Sequence, residues 1–208
     1  MSESALSRHA GPIVLTVGAY VAATHLALFF VVMNFDNQAA MLANPIFRVL
    51  NLAYAAAFSG LAIAACAAYD KHAREAGTFG LVAFCAALVG TVNLGADMWF
   101  EGFAAPWLAE VVPEVLTAEK TMIWQVGYLS SFVLFSAGWV LFGFSSLRAR
   151  VFPRLISLAV VAGGLIGFKA AAPPYGVFLG LALLSLGIWM VRARSAVETT
   201  GQPITVYG

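Results

Sequence analysis

Charge is what this sequence has least of. Only 10% of its 208 residues are Asp, Glu, Lys or Arg, against 62% hydrophobic, and mean hydropathy is +0.89. Soluble domains carry about 25% charged residues, so the composition excludes an ordinary water-soluble globule and points to a membrane protein. A formal net charge of +1 offers no basic surface to a nucleic acid. Cysteine is almost absent. Cys66 and Cys85 both sit in apolar runs, which excludes a disulfide framework and a cysteine metal motif. No phosphate loop, nucleophile elbow, HExxH or CxxC is present. The sequence therefore names no cofactor and no cofactor-binding residue.

Long apolar runs are what it has instead. A bilayer core of about 30 Å takes roughly 20 apolar helical residues. Six stretches approach that length: 12–33, 47–69, 78–100, 122–146, 154–172 and 175–191. They predict an all-α polytopic protein, a bundle of six transmembrane helices in one domain over residues 1–208. The first run is too long for a signal-peptide core and lacks a small-residue cleavage site, so it is expected to be retained. Pro12, Pro45 and Pro153 are placed in first turns, where a missing N–H costs nothing. "PPYG" makes the last two spans a hairpin, with Lys169 snorkelling outward.

Lysine and arginine set the direction. Arg8, Lys71, Arg74, Arg148, Arg150, Arg154, Arg192 and Arg194 fall on one side of such a bundle, and Arg48, Lys120 and Lys169 on the other. The positive-inside rule then puts both termini in the cytoplasm of a protein of the plasma (inner) membrane. Small residues recur every four positions at Ala56, Gly60 and Ala64, at Ala159, Gly163 and Gly167, and at Gly176 and Gly180. Such spacing lets helix backbones approach closely in lipid.

The polar residues inside the spans are one-sided. The outer halves hold His25, Asn51, Asn93, Asp97, Gln125 and Tyr128, and Glu101 stands at the headgroup level. Asn93, Asp97 and Glu101 share one helix face by their i, i+4 spacing. At 1.5 Å per residue Asp97 lies about 12 Å from the midplane, still partly desolvated, so it requires a partner, a proton or water. Arg48, His25 and Gln125 are the expected partners, in that order. If these faces converge, His25, Arg48, Asn51, Asn93, Asp97, Glu101, Gln125 and Tyr128 line a polar pocket that opens outward.

Between spans three and four, Phe103, Trp107, Val111 and Val115 recur every four residues, with Glu110 and Glu114 displaced from the stripe. Pro106 and Pro113 should split this connection into two short helical pieces lying at the interface, with Trp107 buried over the pocket. Trp99, Trp107 and Trp124 suit an outer aromatic belt.

Three function classes fit. The leading one is an accessory membrane subunit, or a binder of an apolar or lipid-like molecule, whose partners are the bilayer, other membrane subunits or that ligand. The second is an intramembrane enzyme using Asp97, Glu101 and His25 as acid, base or metal ligands; no local spacing motif supports a metal site. His25 serves equally as a neutral imidazole bonded to a neighbouring helix. The third is a small transporter, against which stands the lack of an internal repeat.

The stretch "LSSFVLFSAGWVLFGFSSLRARVFPRLISLAVVAGGLIGF" joins a long apolar span, a basic turn ending in Pro153 and Arg154, and a Ser- and Gly-spaced span. Over roughly residues 125–168 it resembles a bacterial family of small multi-pass membrane proteins with a domain of unknown function. The resemblance implies six spans in a plasma membrane and carries over no catalytic residue.

Overall fold

Local signals start the long helices where the sequence places them. The computed structural model describes residues 5–32, 41, 44–112, 114–170 and 172–200, all of the regular structure being helical; Met33, at the end of the first expected span, and Pro113 lie outside them. Asn44 caps helix α2 (Pro45–Trp99) by accepting the Ile46 N–H at 2.9 Å, with Pro45 in its first turn. Thr121 caps α5 (Met122–Ala149) by accepting the Trp124 N–H at 3.3 Å. Between them lie α3 (Ala105–Val111) and α4 (Glu114–Thr117). The chain closes with α6 (Arg154–Ile166), a 3-10 turn (Gly167–Lys169) and α7 (Val177–Thr200).

Pro12 departs from expectation. Helix α1 (Ala5–Val31) begins a full two turns before it, so the proline lies inside the helix. Its missing N–H leaves the Arg8 carbonyl without an i+4 donor. The Arg194 guanidinium, from the end of α7, donates to that carbonyl instead.

Among the described residues, four helices are long and apolar enough to cross a membrane: Leu6–Val31, Pro45–Leu108, Met122–Ala149 and Val177–Ala196. The second, at 64 residues, would be about 96 Å long if straight, roughly three bilayer cores. It is not straight. Gly77 breaks it with φ 58° and ψ −152°, a region open essentially to glycine alone. Across that break Tyr69 stacks on Phe84 with ring centroids 4.3 Å apart. Further along, Gly95 meets Phe58, and Gly102 meets Asn51. Numbers rise on one arm as they fall on the other, which is the register of an antiparallel hairpin. The expected loop between residues 69 and 78 is therefore helix up to residue 76 and a one-glycine turn.

The fifth apolar stretch is shorter than expected. In place of 154–172 the chain forms 13 helical residues and a 3-10 turn of 3, about 25 Å in all.

Each helix packs antiparallel to its neighbours. Going round, α1 touches the first arm of α2, the second arm touches α5, α5 touches α6, α6 touches α7, and α7 returns to α1. At the α1–α7 crossing a Cβ on Gly18 would stand 2.2 Å from the Leu184 nitrogen and 2.7 Å from the Gly180 carbonyl oxygen, so only glycine allows that approach. Aromatic rings fill the middle: Phe58 against Phe135 at 5.9 Å, Phe135 against Trp139 at 6.4 Å and Trp139 against Phe142 at 5.6 Å. The outer surface is as greasy as the core, with Phe30, Val49, Val82, Ile123, Leu155 and Leu165 all exposed. A surface of that kind suits lipid, not water.

Candidate functional site

The hairpin and α5 together set the site. Asp97 and Glu101, one turn apart on the second arm, lie close enough for their charges to act on each other. Tyr128 of α5 lies near both, and Ser131 of α5 lies beside Asp97. From the first arm comes Tyr54, 1% exposed, whose hydroxyl is within electrostatic reach of Glu101 and donates to the Ala170 carbonyl. Trp124 stacks on Tyr128 at 4.9 Å, extending the aromatic side of the cluster.

His25 of α1 reaches the cluster through Tyr54, its ring meeting the tyrosine edge-on at 4.7 Å. It is 2% exposed, and Gly176 leaves room for it: a Cβ there would stand 1.8 Å from His25 Nε2. Among the described residues, four buried side-chain atoms at this end have no hydrogen-bond partner, His25 Nδ1, Arg48 Nε, Asn51 Nδ2 and Asp97 Oδ2, and His72 Nε2, Ser145 Oγ and Ser157 Oγ are in the same state at the other end. Unsatisfied buried polar atoms are few in native proteins, and each calls for an explanation such as a bound molecule.

Some expected residues stand elsewhere. Arg48 does not pair with Asp97; its Nη2 donates to Glu110 at 2.9 Å, because the hairpin register brings the end of the second arm beside the start of the first. Gln125 is exposed, and its amide donates to the Lys120 carbonyl at 2.9 Å, a local bond in the turn before α5. Asn93 is half-buried one turn deeper than Asp97. A metal site of His25, Asp97 and Glu101 is not assembled: among the described residues no three such ligands come together.

The segment after Trp99 is also different. A π-helical turn (Phe100–Ala104) carries the second arm directly into α3, so this part continues the hairpin instead of lying across its end. Trp107 is 59% exposed, not buried. The division into two short helices, α3 and α4, does occur.

Sequence reasoning missed Tyr54, Ser131 and His72. Tyr54 follows Asn51 by three residues and precedes Phe58 by four, so the helical period could have found it. His72 is wholly buried at the opposite end, where Nδ1 donates to the Ala68 carbonyl at 2.9 Å and Phe142 and Phe152 flank the ring. The neighbouring Lys71 and Arg74 gave it the look of a loop residue.

Taken together, helix length, composition and the apolar outer surface define an all-α, multi-pass integral membrane protein. No protein-family model, curated protein or solved structure matches the chain.

Proposed function

We propose that this chain is a six-span protein of the plasma membrane that holds an amphiphilic, lipid-like molecule, the polar end of which sits at the Asp97–Glu101–Tyr54–Tyr128 cluster. The observation that carries this reading is the set of buried, unpartnered atoms His25 Nδ1, Arg48 Nε, Asn51 Nδ2 and Asp97 Oδ2 at the end of the bundle that holds the two neighbouring acids Asp97 and Glu101. They supply both donors and acceptors to a polar head, while the surroundings suit a hydrocarbon tail.

The six spans are α1, the two arms of α2, α5, α6 and α7, the short α6 being the thinnest of them. Antiparallel packing gathers Arg8, Lys71, Arg74, Arg148, Arg150, Arg154, Arg192 and Arg194 at the end away from the site. That end is the cytoplasmic one by the positive-inside rule, so the site opens outward, and Trp99, Trp107 and Trp124 form its aromatic belt. The resemblance of residues 125–168 to a bacterial multi-pass family points the same way.

The test is retention. Purified in a mild neutral detergent, the full chain should carry about one long-chain molecule of a single class, identified by mass spectrometry of the extract. Asp97→Asn should lose it while eluting as wild type. Recovery of bulk lipids in membrane proportions, unchanged by Asp97→Asn, would refute the reading.

A further inference from the structure

Two carboxylates one turn apart in an apolar bundle repel each other, and the Ser131 hydroxyl, close enough to hydrogen-bond Asp97, carries no charge to offset theirs. Arg48 Nη2 is held by Glu110 at 2.9 Å, while Arg48 Nε is buried without a partner. The Tyr54 hydroxyl is spent on the Ala170 carbonyl, and the Ser131 hydroxyl lies 3.2 Å from the Gly127 carbonyl that accepts it. Among the described residues neither Asp97 nor Glu101 is ion-paired, and Asp97 Oδ2 is buried without a donor. A second observation points to a ligand independently. His25 and Asn51, both more than nine-tenths buried, carry the unpartnered atoms Nδ1 and Nδ2 at the same end, the His25 ring against Tyr54 and the Asn51 backbone against Gly102, which follows Glu101.

We infer that the head of the bound amphiphile is a cation, a protonated amine that lies between Asp97 and Glu101 and against the faces of Tyr54 and Tyr128. This rests on the amphiphile reading above and specifies its charge. An ammonium supplies N–H donors to the orphaned carboxylate oxygen and, if one is left over, to His25 Nδ1, which as a neutral imidazole nitrogen can accept. Its positive charge is attracted by the tyrosine ring faces and removes the repulsion between the two acids. An anionic head would meet two like charges, and the charge of the Arg48 guanidinium at this end is already offset by Glu110. A neutral head would satisfy hydrogen bonds but leave the charges unopposed.

The tail has a path. Residues 121–127, ahead of and in the first turns of α5, are exposed, and a Cβ on Gly127 would meet nothing within 4 Å. Helix α5 therefore stands clear of the other helices beside Tyr128, which leaves a lateral way in from the lipid for a chain whose head reaches Asp97.

The experiment compares two probes that differ in the head alone. Radiolabelled dodecylamine is bound to the full chain in phosphatidylcholine nanodiscs and displaced by unlabelled dodecylamine or by dodecanol. Saturable binding of about one amine per chain is expected, with dodecanol at least tenfold weaker as a competitor. Asp97→Asn and Glu101→Gln should each weaken the amine at least tenfold and leave dodecanol unchanged. Equal competition by the alcohol would overturn the cationic head and leave the amphiphile reading standing. Dodecylamine binding no greater than in empty nanodiscs would remove the cationic head, and the same result with radiolabelled dodecanol would remove the amphiphile reading as well. If the variants fail to assemble, the comparison of the two probes on the wild-type chain still decides.

Discussion

At the scale of single residues, the bundle is held by close backbone approach and a few buried hydrogen bonds, because no hydrophobic effect operates between helices in lipid. The Trp139 indole N–H donates to Thr91 Oγ1 at 3.0 Å, and the Thr91 hydroxyl donates to the Ala87 carbonyl at 2.7 Å, tying α5 to the second arm of α2. Thr91→Val would leave the indole N–H unpaired, at a cost of about 0.6–2 kcal/mol. Thermal unfolding in detergent should show the loss, with Trp139→Phe similar and the double variant little worse than either. Full additivity would mean that the bond contributes nothing. Glycines divide into two kinds that the same measurement separates. Gly18→Ala forces a methyl into the α7 backbone and should lower the melting temperature by many degrees. Gly127→Ala meets open space and, by helix propensity, should be neutral or stabilising by up to about 1 kcal/mol.

At the scale of elements, the hairpin in α2 decides most of what the sequence shows and hides. The first-turn Pro45 and the i, i+4 face of Asp97 and Glu101 are local features, so they are legible in one dimension. The turn at Gly77 is not. "DKHAREA" is rich in good helix formers and in charge, so it resembles a solvated loop while its backbone stays helical to residue 76. Once the turn is reduced to one glycine, the register between the arms is fixed, and with it the Arg48–Glu110 pair, 62 residues apart. The Arg48–Asp97 pairing expected from the sequence fails for that reason alone, and the position of Tyr54 opposite Glu101 could not be read for the same one. Gly77→Ala should therefore act on the backbone only, since its Cβ has room. Forcing a side chain into that φ/ψ region costs about 1–3 kcal/mol. A drop in melting temperature with Gly77→Ala, and none with the adjacent Thr78→Ala, is the expected result. Equal effects of the two would show that the turn is not where the strain lies.

At the scale of the whole molecule, what matters is which face of the membrane the polar cluster addresses, and whether the short α6 crosses at all. Antiparallel packing puts His25, Asp97, Tyr128 and Lys169 toward one end and Arg8, Arg74, Arg154 and Arg192 toward the other. Eight of eleven basic residues lie at the second end, and moving them across a bilayer is what the positive-inside rule forbids. Single cysteines in a chain with Cys66 and Cys85 replaced by alanine report this directly. Glu119→Cys, exposed between α4 and α5, should react with a membrane-impermeant maleimide in intact cells. Arg74→Cys at the Gly77 turn and Arg154→Cys at the start of α6 should react only after permeabilisation. Lys169→Cys is the discriminating position. Its backbone lies about 25 Å along α6 and the 3-10 turn from Arg154, close to the thickness of the hydrocarbon core. Labelling from outside would make α6 a complete though thin crossing, completing six. Labelling of Lys169→Cys only from inside would put the start of α7 at the cytoplasmic end and overturn its antiparallel packing on α1, in which Arg194 reaches the Arg8 carbonyl. Labelling of all three control sites in reverse would turn the site toward the cytoplasm, and an amphiphile could then reach it only from the inner leaflet.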